Sequence, residues 1–286
     1  MSAPTTNERT IERAAPYPVW TFGGSCRRIN AMLLRHLYIL RRSWPRILEI
    51  TYWPTMQMII WGFLSTFLYS QTEWIARAFG VLLAGVMLWD VLFRGQLGFA
   101  VSFLEEMWAR NLANIYVSPL RPGEHVATLI CMSILRGVIG LTPASILAIF
   151  LFHFSIYDLG LPLVAFFANL IMLSWAVGLV SVALLMRYGL GAESLIWFIV
   201  FLLAPISAVY YPVSVLPDWL RHIAMAIPAT SVFEGMRVVM FEHRFDHHLF
   251  WQAVWLNLVY LAAGGLIFVS ALRDARRRGR LFQVGE

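Results

Sequence analysis

Six long apolar segments most constrain what this chain can fold into. They lie at about residues 51–69, 79–104, 126–152, 161–186, 194–211 and 249–272. A helix rises 1.5 Å per residue, so segments of this length approach or exceed the roughly 30 Å hydrocarbon core of a bilayer. Only 13% of the residues are charged, whereas an average soluble domain has about 25%. The sequence therefore predicts an all-α membrane protein with six transmembrane helices.

The basic residues exclude one kind of chemistry. All 22 are arginines, and the chain contains no lysine. A P-loop ATPase needs the lysine of G-x-x-x-x-G-K-[ST] to reach the β- and γ-phosphates. Motifs of serine hydrolases and zinc proteases are also absent. We therefore expect no catalytic residues and no cofactor in this chain. If ATP and Mg²⁺ drive it, they bind to a separate ATPase subunit.

The segment before the first span divides into two parts. Residues 1–24 are polar, lack the apolar core of a signal peptide and are predicted to be a disordered cytoplasmic tail. Residues 25–46 predict a basic amphipathic helix that lies in the membrane interface. A soluble helix packed on a partner is the alternative. Its apolar face comprises Ile29, Met32, Leu33, Leu37, Leu40 and Trp44.

The distribution of arginine predicts the orientation. With six spans in residues 47–272, the two ends and the loops at 105–125 and 187–193 share one side, which carries 16 arginines against 4 on the other. The positive-inside rule places that side, and with it both ends of the chain, in the cytoplasm. The basic tail at 273–286 is then cytoplasmic. Membrane lipids with anionic headgroups are the expected partners of these arginines, and no nucleic acid is expected.

Three charges lie inside apolar segments. A charge within a membrane is costly unless it is paired or faces water. Asp90 and Arg94 are four residues apart and so share one helix face, and Arg136 lies in the next segment. We expect Asp90 to pair with Arg94 or Arg136 and to hold the second and third spans together. The alternative is that these charges line a substrate path.

A proline-rich stretch interrupts the chain between the last two spans. Pro205, Pro212, Pro217 and Pro228 each remove a backbone donor, so no single straight helix can cross it. Pro217 is suited to the start of one short helix, and Ser231-x-x-Glu234 has the pattern of a capping box for another. A helical piece of about 11 residues spans only ~16 Å, which is roughly half of the apolar core of a bilayer. Residues 212–243 therefore predict a re-entrant helical hairpin on the external side.

Two runs of residues resemble a known family, the bacterial type-2 ABC transporter permeases, which are membrane subunits of exporters for drugs, lipids and polysaccharides. Its C-terminal signature resembles the run Pro212-Val213 … Leu216-Pro217-x-Trp219-Leu220 … Ile227-Pro228-x-Thr230 … Glu234-x-x-Arg237. Its cytoplasmic coupling helix resembles the run Glu106-x-Trp108-x-x-Asn111-Leu112 … Val117-Ser118-Pro119-Leu120. We expect the residues from Glu105 to Tyr116, which include the first part of this run, to form a short helix.

The resemblance implies a place in the bacterial cytoplasmic (inner) membrane and roles for these residues. The segment at 105–119 would dock on an ABC ATPase subunit through Glu106, Trp108, Arg110, Asn111, Ser118 and Pro119. The hairpin would form an external gate that includes Pro212, Pro217, Trp219, Pro228, Thr230, Glu234 and Arg237. Two copies would form a homodimer around a central path for an amphipathic, lipid-linked or drug-like substrate. The aromatic residues expected near that path, or alternatively facing lipid, are Trp53, Trp61, Phe67, Trp89, Phe198 and Tyr210.

Two other functions stay open. An ATP-independent secondary transporter would need an ionisable relay and usually internal repeats, and Asp90 is the one candidate carboxylate. An intramembrane enzyme or an assembly factor is the second alternative. His243 and His247 are spaced so that one helix could present both to zinc. A solvated polar turn is the favoured interpretation of that segment, and no metal site is predicted.

Overall fold

The chain folds into ten α-helices over the residues that this computed structural model describes, 21–69 and 73–279. The predicted tail falls mostly outside them, as do residues 280–286. The helices are α1 (Phe22–Arg42), α2 (Trp44–Tyr69), α3 (Glu73–Trp108), α4 (Leu112–Val117), α5 (Pro122–Phe152), α6 (Leu161–Tyr188), α7 (Glu193–Ile206), α8 (Asp218–Met225), α9 (Pro228–Glu242) and α10 (His247–Arg277). The described part contains no β-strand, so the all-α prediction is confirmed.

Helix α1 corresponds to the predicted amphipathic helix, shifted by a few residues. It begins at Phe22 because the Thr21 side chain accepts a hydrogen bond from the Gly24 N–H at 3.2 Å, a typical N-cap. It ends at Arg42, and α2 starts only two residues later at Trp44. The first apolar segment is therefore the later part of a helix that begins before it.

Helix α3 is the centre of the fold. Every residue from 83 to 107 except Val101 is buried, because α3 packs against α2, α5 and α6. A Cβ added at Gly98 would lie 2.9 Å from the Ser133 Cα of α5, so the two backbones meet where there is no side chain. Helix α10 packs on α6, and the Asn257 side-chain amide donates to the Asn169 Oδ1 at 2.9 Å.

Four helical stretches within residues 21–69 and 73–279 are long and apolar enough to cross a membrane. They are Gly80–Trp108, Pro122–Phe152, Leu161–Ile206 and His247–Arg277. The third joins α6 and α7, which the sequence treats as two spans, through the 3₁₀ turn Gly189–Ala192. Helix α2 is not among the four, and its apolar run is diluted by Pro54, Thr55 and Gln57. Six spans remain a prediction.

The proline-rich stretch is broken as expected. Helices α8 and α9 meet at an angle of 95°, and together they would count as a fifth, bent stretch. Helix α7 ends at Ile206, earlier than the predicted end at 211, just after Pro205. Ala208 then takes a left-handed conformation with φ of 52°. The capping box at Ser231 is wrong: α9 already begins at Pro228, with Ile227 as its N-cap, so Ser231 lies inside the helix.

Candidate functional site

The segment predicted to couple to an ATPase is two helical pieces and not one. Helix α3 continues to Trp108, the chain breaks at Arg110 with φ of 51°, and α4 follows from Leu112 to Val117. The predicted single helix from Glu105 to Tyr116 is therefore wrong. A left-handed residue cannot continue a right-handed helix. The break therefore ends α3 and separates it from α4, and we call the segment from Trp108 to Pro119 the corner.

The corner carries several exposed residues. Trp108 is 46% exposed and Val117 is 77% exposed, and Arg110, Ser118 and Pro119 are exposed as well. Leu112 and Ile115 face inward and are buried. We call the exposed set Trp108, Arg110, Val117, Ser118 and Pro119 the corner surface. An exposed tryptophan and valine beside an arginine form the kind of mixed surface on which protein partners dock.

Glu106 does not belong to that surface, although the resemblance assigned it to ATPase docking. Its carboxylate is 1% exposed and forms an ion pair with Arg35 of α1. It also accepts a hydrogen bond from the Asn111 side-chain amide at 2.9 Å. Asn111 is half-buried. Both residues therefore make contacts at the break between α3 and α4. The Glu106 side chain faces inward, and its part in ATPase docking stays a prediction.

Glu105 is the centre of a second set of ion pairs. Both of its carboxylate oxygens accept from the Arg136 Nη2 of α5 at 2.8 Å. One of them also accepts from the Arg46 Nη1 of α2 at 2.9 Å. Arg136 therefore pairs with Glu105 and not with Asp90, which corrects the sequence-based hypothesis. We call Arg35, His36, Arg46, Glu105, Glu106 and Arg136 the Glu105–Glu106 cluster.

His36 occupies the middle of this cluster. Its ring is buried, with Nε2 3.6 Å from Glu106 and Nδ1 3.9 Å from Glu105. Burial lowers the pKa of His36, and the two carboxylates oppose that shift only in part. Neither ring nitrogen has a hydrogen-bond partner among the described residues. The imidazole is therefore neutral near pH 7 and packs between the two carboxylates.

A further ion pair fastens α1 to the start of α5. Arg28 donates from Nε to the Glu124 Oε2 at 2.9 Å and from Nη2 to the Glu124 Oε1 at 2.6 Å. Glu124 also accepts from the Arg121 backbone N–H at 2.9 Å and so caps α5. The corner surface is thus flanked by two elements, α1 and α5, that are themselves tied together.

Asp90 and Arg94 do not form the predicted ion pair. The Asp90 Oδ1 and the Arg94 Nε and Nη2 are buried and have no hydrogen-bond partner in the described part of the chain. Asp90 is part of the buried interior of α3. Arg94 lines a cavity that Asp90 does not reach, so the two groups have different surroundings although they share one helix.

That cavity lies between α2, α3, α5 and α7 and has a volume of about 440 Å³. Its lining changes along its length. Toward the end of α3 and the start of α7 it is mostly polar, with Arg46, Glu49, Glu105, Arg136 and Glu193. Trp108 of the corner surface also lines this part. About three helical turns back toward the start of α3 it is aromatic, with Phe93 of α3, Trp53 of α2, and Trp197 and Phe201 of α7. The volume suits a small molecule or part of a larger one.

The aromatic residues predicted near a path do not share one environment. Trp53 lines the cavity. Trp61 of α2 and Tyr210 stack with ring centroids 4.9 Å apart. Trp89 is buried in the core. Phe67 and Phe198 are exposed on the outside of the chain. The structure thus brings Trp61 and Tyr210 together and separates the other four.

The predicted gate is held to the chain that leads into it. The Glu234 Oε1 accepts from the Val213 backbone N–H at 2.7 Å and from the Arg237 Nη1 at 2.9 Å. Arg237 also donates to the carbonyls of Ala208 and Val209. Pro228 and Thr230 are buried at the start of α9, whereas Pro212, Pro217 and Trp219 are exposed. The conspicuous Glu-x-x-Arg pattern therefore joins α9 to residues 208–213.

The polar turn after α9 separates its two histidines. His243 ends α9 with φ of 52°, and His247 opens α10, so one helix does not present both. Asp246 caps α10 by accepting from the His248 N–H at 2.8 Å. Within residues 21–69 and 73–279, no group of three or more His, Cys, Asp or Glu side chains is placed to hold a metal.

Sequence reasoning missed most of the Glu105–Glu106 cluster. Arg35, His36 and Arg46 were assigned only to an interfacial helix, and Glu105 to the start of a coupling helix. The available signal was two adjacent acids, Glu105 and Glu106, at the end of an apolar segment on the arginine-rich side. An acidic pair there needs basic partners, but spacing alone cannot say which arginines reach it.

Comparison with known proteins identifies the family. No curated protein matches the chain significantly. The model of the family described as "ABC-2 type transporter" matches residues 35–241, which is well over half of the chain. This range contains the corner surface, the Glu105–Glu106 cluster, the cavity and the bent helix pair. The chain therefore belongs to the ABC-2 type transporter family and is a membrane permease subunit of a transporter.

Proposed function

We propose that this permease serves an ATP-driven exporter that moves an amphipathic substrate out across the cytoplasmic membrane. The carrying observation is the corner surface, a set of exposed residues that the ion pairs of Glu105 and Glu106 join to α1, α2 and α5. A surface on which an ATPase subunit acts must be exposed, and it must be rigidly joined to the helices that move. The chain has no lysine for a P-loop of its own, so the ATPase would be a separate subunit that binds ATP and Mg²⁺.

The proposed cycle uses the connections at the corner. Glu106 and Asn111 tie the corner to α1 through Arg35. Glu105 ties it to α2 and α5. Closure of an ATPase pair would thus move α1, α2, α3 and α5 together. ATP can favour one state of the permease only through a difference in binding free energy between states. Two copies in a homodimer would enclose the path.

The topology belongs to the same proposal. Six spans, α2, α3, α5, α6, α7 and α10, would leave both ends of the chain in the cytoplasm, in keeping with the arginine distribution. Helices α8 and α9 would then form an external re-entrant gate. Their 95° bend and short lengths support this, because neither helix alone reaches across the roughly 30 Å apolar core.

The test is co-purification of an ATPase with the tagged permease in mild detergent. Mg²⁺-dependent ATP hydrolysis in the eluate must come from another chain. We expect Trp108→Glu combined with Val117→Glu to abolish that activity, because both side chains project from the corner surface. Trp219→Glu is the matched control, since Trp219 is exposed on α8, far along the chain from the corner. The proposal is refuted if the wild-type permease purifies without an ATPase. It is also refuted if the corner variant retains as much ATPase activity as the wild type.

A further inference from the structure

Arg94 is the buried arginine that the fold leaves without a hydrogen-bonding partner. It is 7% exposed, and its Nε and Nη2 atoms are buried with no partner in the described part of the chain. The other two buried arginines in that part are both engaged. Arg136 pairs with Glu105, and Arg237 pairs with Glu234. A buried cation without a partner is costly, especially inside a membrane protein, so a retained one indicates a ligand.

The surrounding acids do not satisfy Arg94. The charges of Asp90 and Glu49 act on it electrostatically, but neither forms a hydrogen bond to its Nε or Nη2. Glu49 is exposed on α2. Glu105, which also lines the cavity, is occupied by Arg136 and Arg46. Glu193 lines the cavity too and forms no hydrogen bond to the Arg94 Nε or Nη2 within the described residues. The Arg94 side chain thus lines the cavity while its Nε and Nη2 donors are engaged by no described residue.

The walls beside Arg94 are aromatic. Its guanidinium carbon lies 5.9 Å from the centroid of Phe93. The Phe93 ring lies 6.2 Å from that of Trp197 and 5.5 Å from that of Phe201, centroid to centroid. Trp53 of α2 lines the same cavity. The site therefore offers a planar cation next to an apolar surface, in a volume of about 440 Å³.

We propose that Arg94 binds the acidic headgroup of an amphiphile whose apolar part lies among these aromatic rings. The headgroup is a phosphate or a carboxylate, because both match the paired donors of a guanidinium. This inference rests on the proposed function, and it names the chemical class of the transported molecule: an anionic amphiphile. It also assigns roles that the sequence left open. Arg94 recognises the substrate, whereas Arg136 holds the fold.

The test uses the full-length permease alone, in nanodiscs of phosphatidylcholine. The probe is a dodecyl phosphate that carries a photoreactive diazirine on its chain, and the matched probes are the corresponding alcohol and trimethylammonium. After irradiation, mass spectrometry measures label on α2 and α7. A charge-assisted hydrogen bond changes affinity by roughly tenfold or more. We therefore expect the phosphate to label the cavity about tenfold more than the alcohol at equal concentration.

Variants isolate the arginine. Arg94→Gln should lower labelling by the phosphate about tenfold, and Arg94→Lys should retain part of it. Arg273→Gln, which removes an exposed arginine at the end of α10, should leave labelling unchanged. Size-exclusion chromatography checks that each variant is folded. If Arg94→Gln does not fold, the comparison of the three probes on the wild-type protein still decides.

Three results would overturn the inference. The first is equal labelling by the alcohol or the trimethylammonium. The second is unchanged labelling in a folded Arg94→Gln variant. The third is complete protection by inorganic phosphate at the probe's own concentration, which would indicate a site for a free anion and not for an amphiphile. No ATPase takes part in this assay, so its failure is distinct from failure of the ATPase co-purification.

Discussion

Replacement of Glu105 by glutamine is the most informative perturbation of this structure. The change keeps the shape of the side chain and removes its charge. In the wild type, both carboxylate oxygens accept from Arg136 at 2.8 Å, and one also accepts from Arg46 at 2.9 Å. Glu105 and Arg136 are almost fully buried, whereas Arg46 is about one-third exposed. The variant therefore leaves the Arg136 cation buried without its counter-charge.

The expected loss is large and comes mostly from Arg136. Breaking a buried ion pair by removal of one partner costs about 3–5 kcal/mol, because the other charge remains in a poorly solvated place. The partly exposed Arg46 contributes only about 0–1 kcal/mol. Removal of both charges, in Glu105→Gln with Arg136→Met, removes the stranded cation. The double variant should therefore be more stable than Glu105→Gln alone.

The assay is thermal unfolding in detergent, followed by loss of the monodisperse peak in size-exclusion chromatography. Glu242→Gln is the matched control, since Glu242 pairs with Arg244 at an exposed turn and should cost at most about 1 kcal/mol. The reasoning is refuted if Glu105→Gln unfolds at the temperature of the wild type. Strictly additive losses for Glu105→Gln and Arg136→Met would refute it as well.

Two further predictions concern pH and orientation. Because burial lowers the pKa of His36, the unfolded chain binds a proton more readily than the folded chain does, so stability should fall as the pH drops through about 6.5. In melting temperatures measured over a pH series, His36→Gln should flatten this dependence. An unchanged slope of melting temperature against pH would contradict the prediction. In a Cys131→Ala background, an impermeant maleimide should label exposed Cys26 in inside-out vesicles only. Ser214→Cys with Cys26→Ala should show the opposite, and the same sidedness for both would refute the topology.

The helices were predictable because they follow from local pattern. Long apolar runs favour helices in a membrane, where every backbone donor and acceptor must be satisfied internally. Pro205, Pro212, Pro217 and Pro228 fixed where the last part of the chain breaks. The ends of helices were less predictable. The break at Arg110 lies beside a hydrogen bond between Glu106 and Asn111, which spacing alone does not reveal. Helix α9 begins at Pro228 and not at the capping pattern of Ser231.

The ion pairs were not predictable, because an arginine's partner is a matter of distance in space. Arg136 is 31 residues from Glu105, and Arg35 is 71 residues from Glu106. Spacing suggested Asp90 with Arg94, since local pairs are the ones that spacing can detect. In the fold, Arg94 instead lines a cavity, and Asp90 lies in the buried interior.

The sequence by itself determined that this protein is helical, membrane-embedded, broken near its end and unable to use a P-loop. These properties depend on composition, periodicity and backbone chemistry, which act within a few residues. Only the tertiary structure decided that Glu106 faces inward and that Trp108 and Val117 are exposed at the corner. It also decided that Arg94 lies beside aromatic rings with no hydrogen-bond partner for its Nε and Nη2 among the described residues. Those properties depend on which helices α3 packs against, because a buried charge takes its partner from whatever element lies next to it.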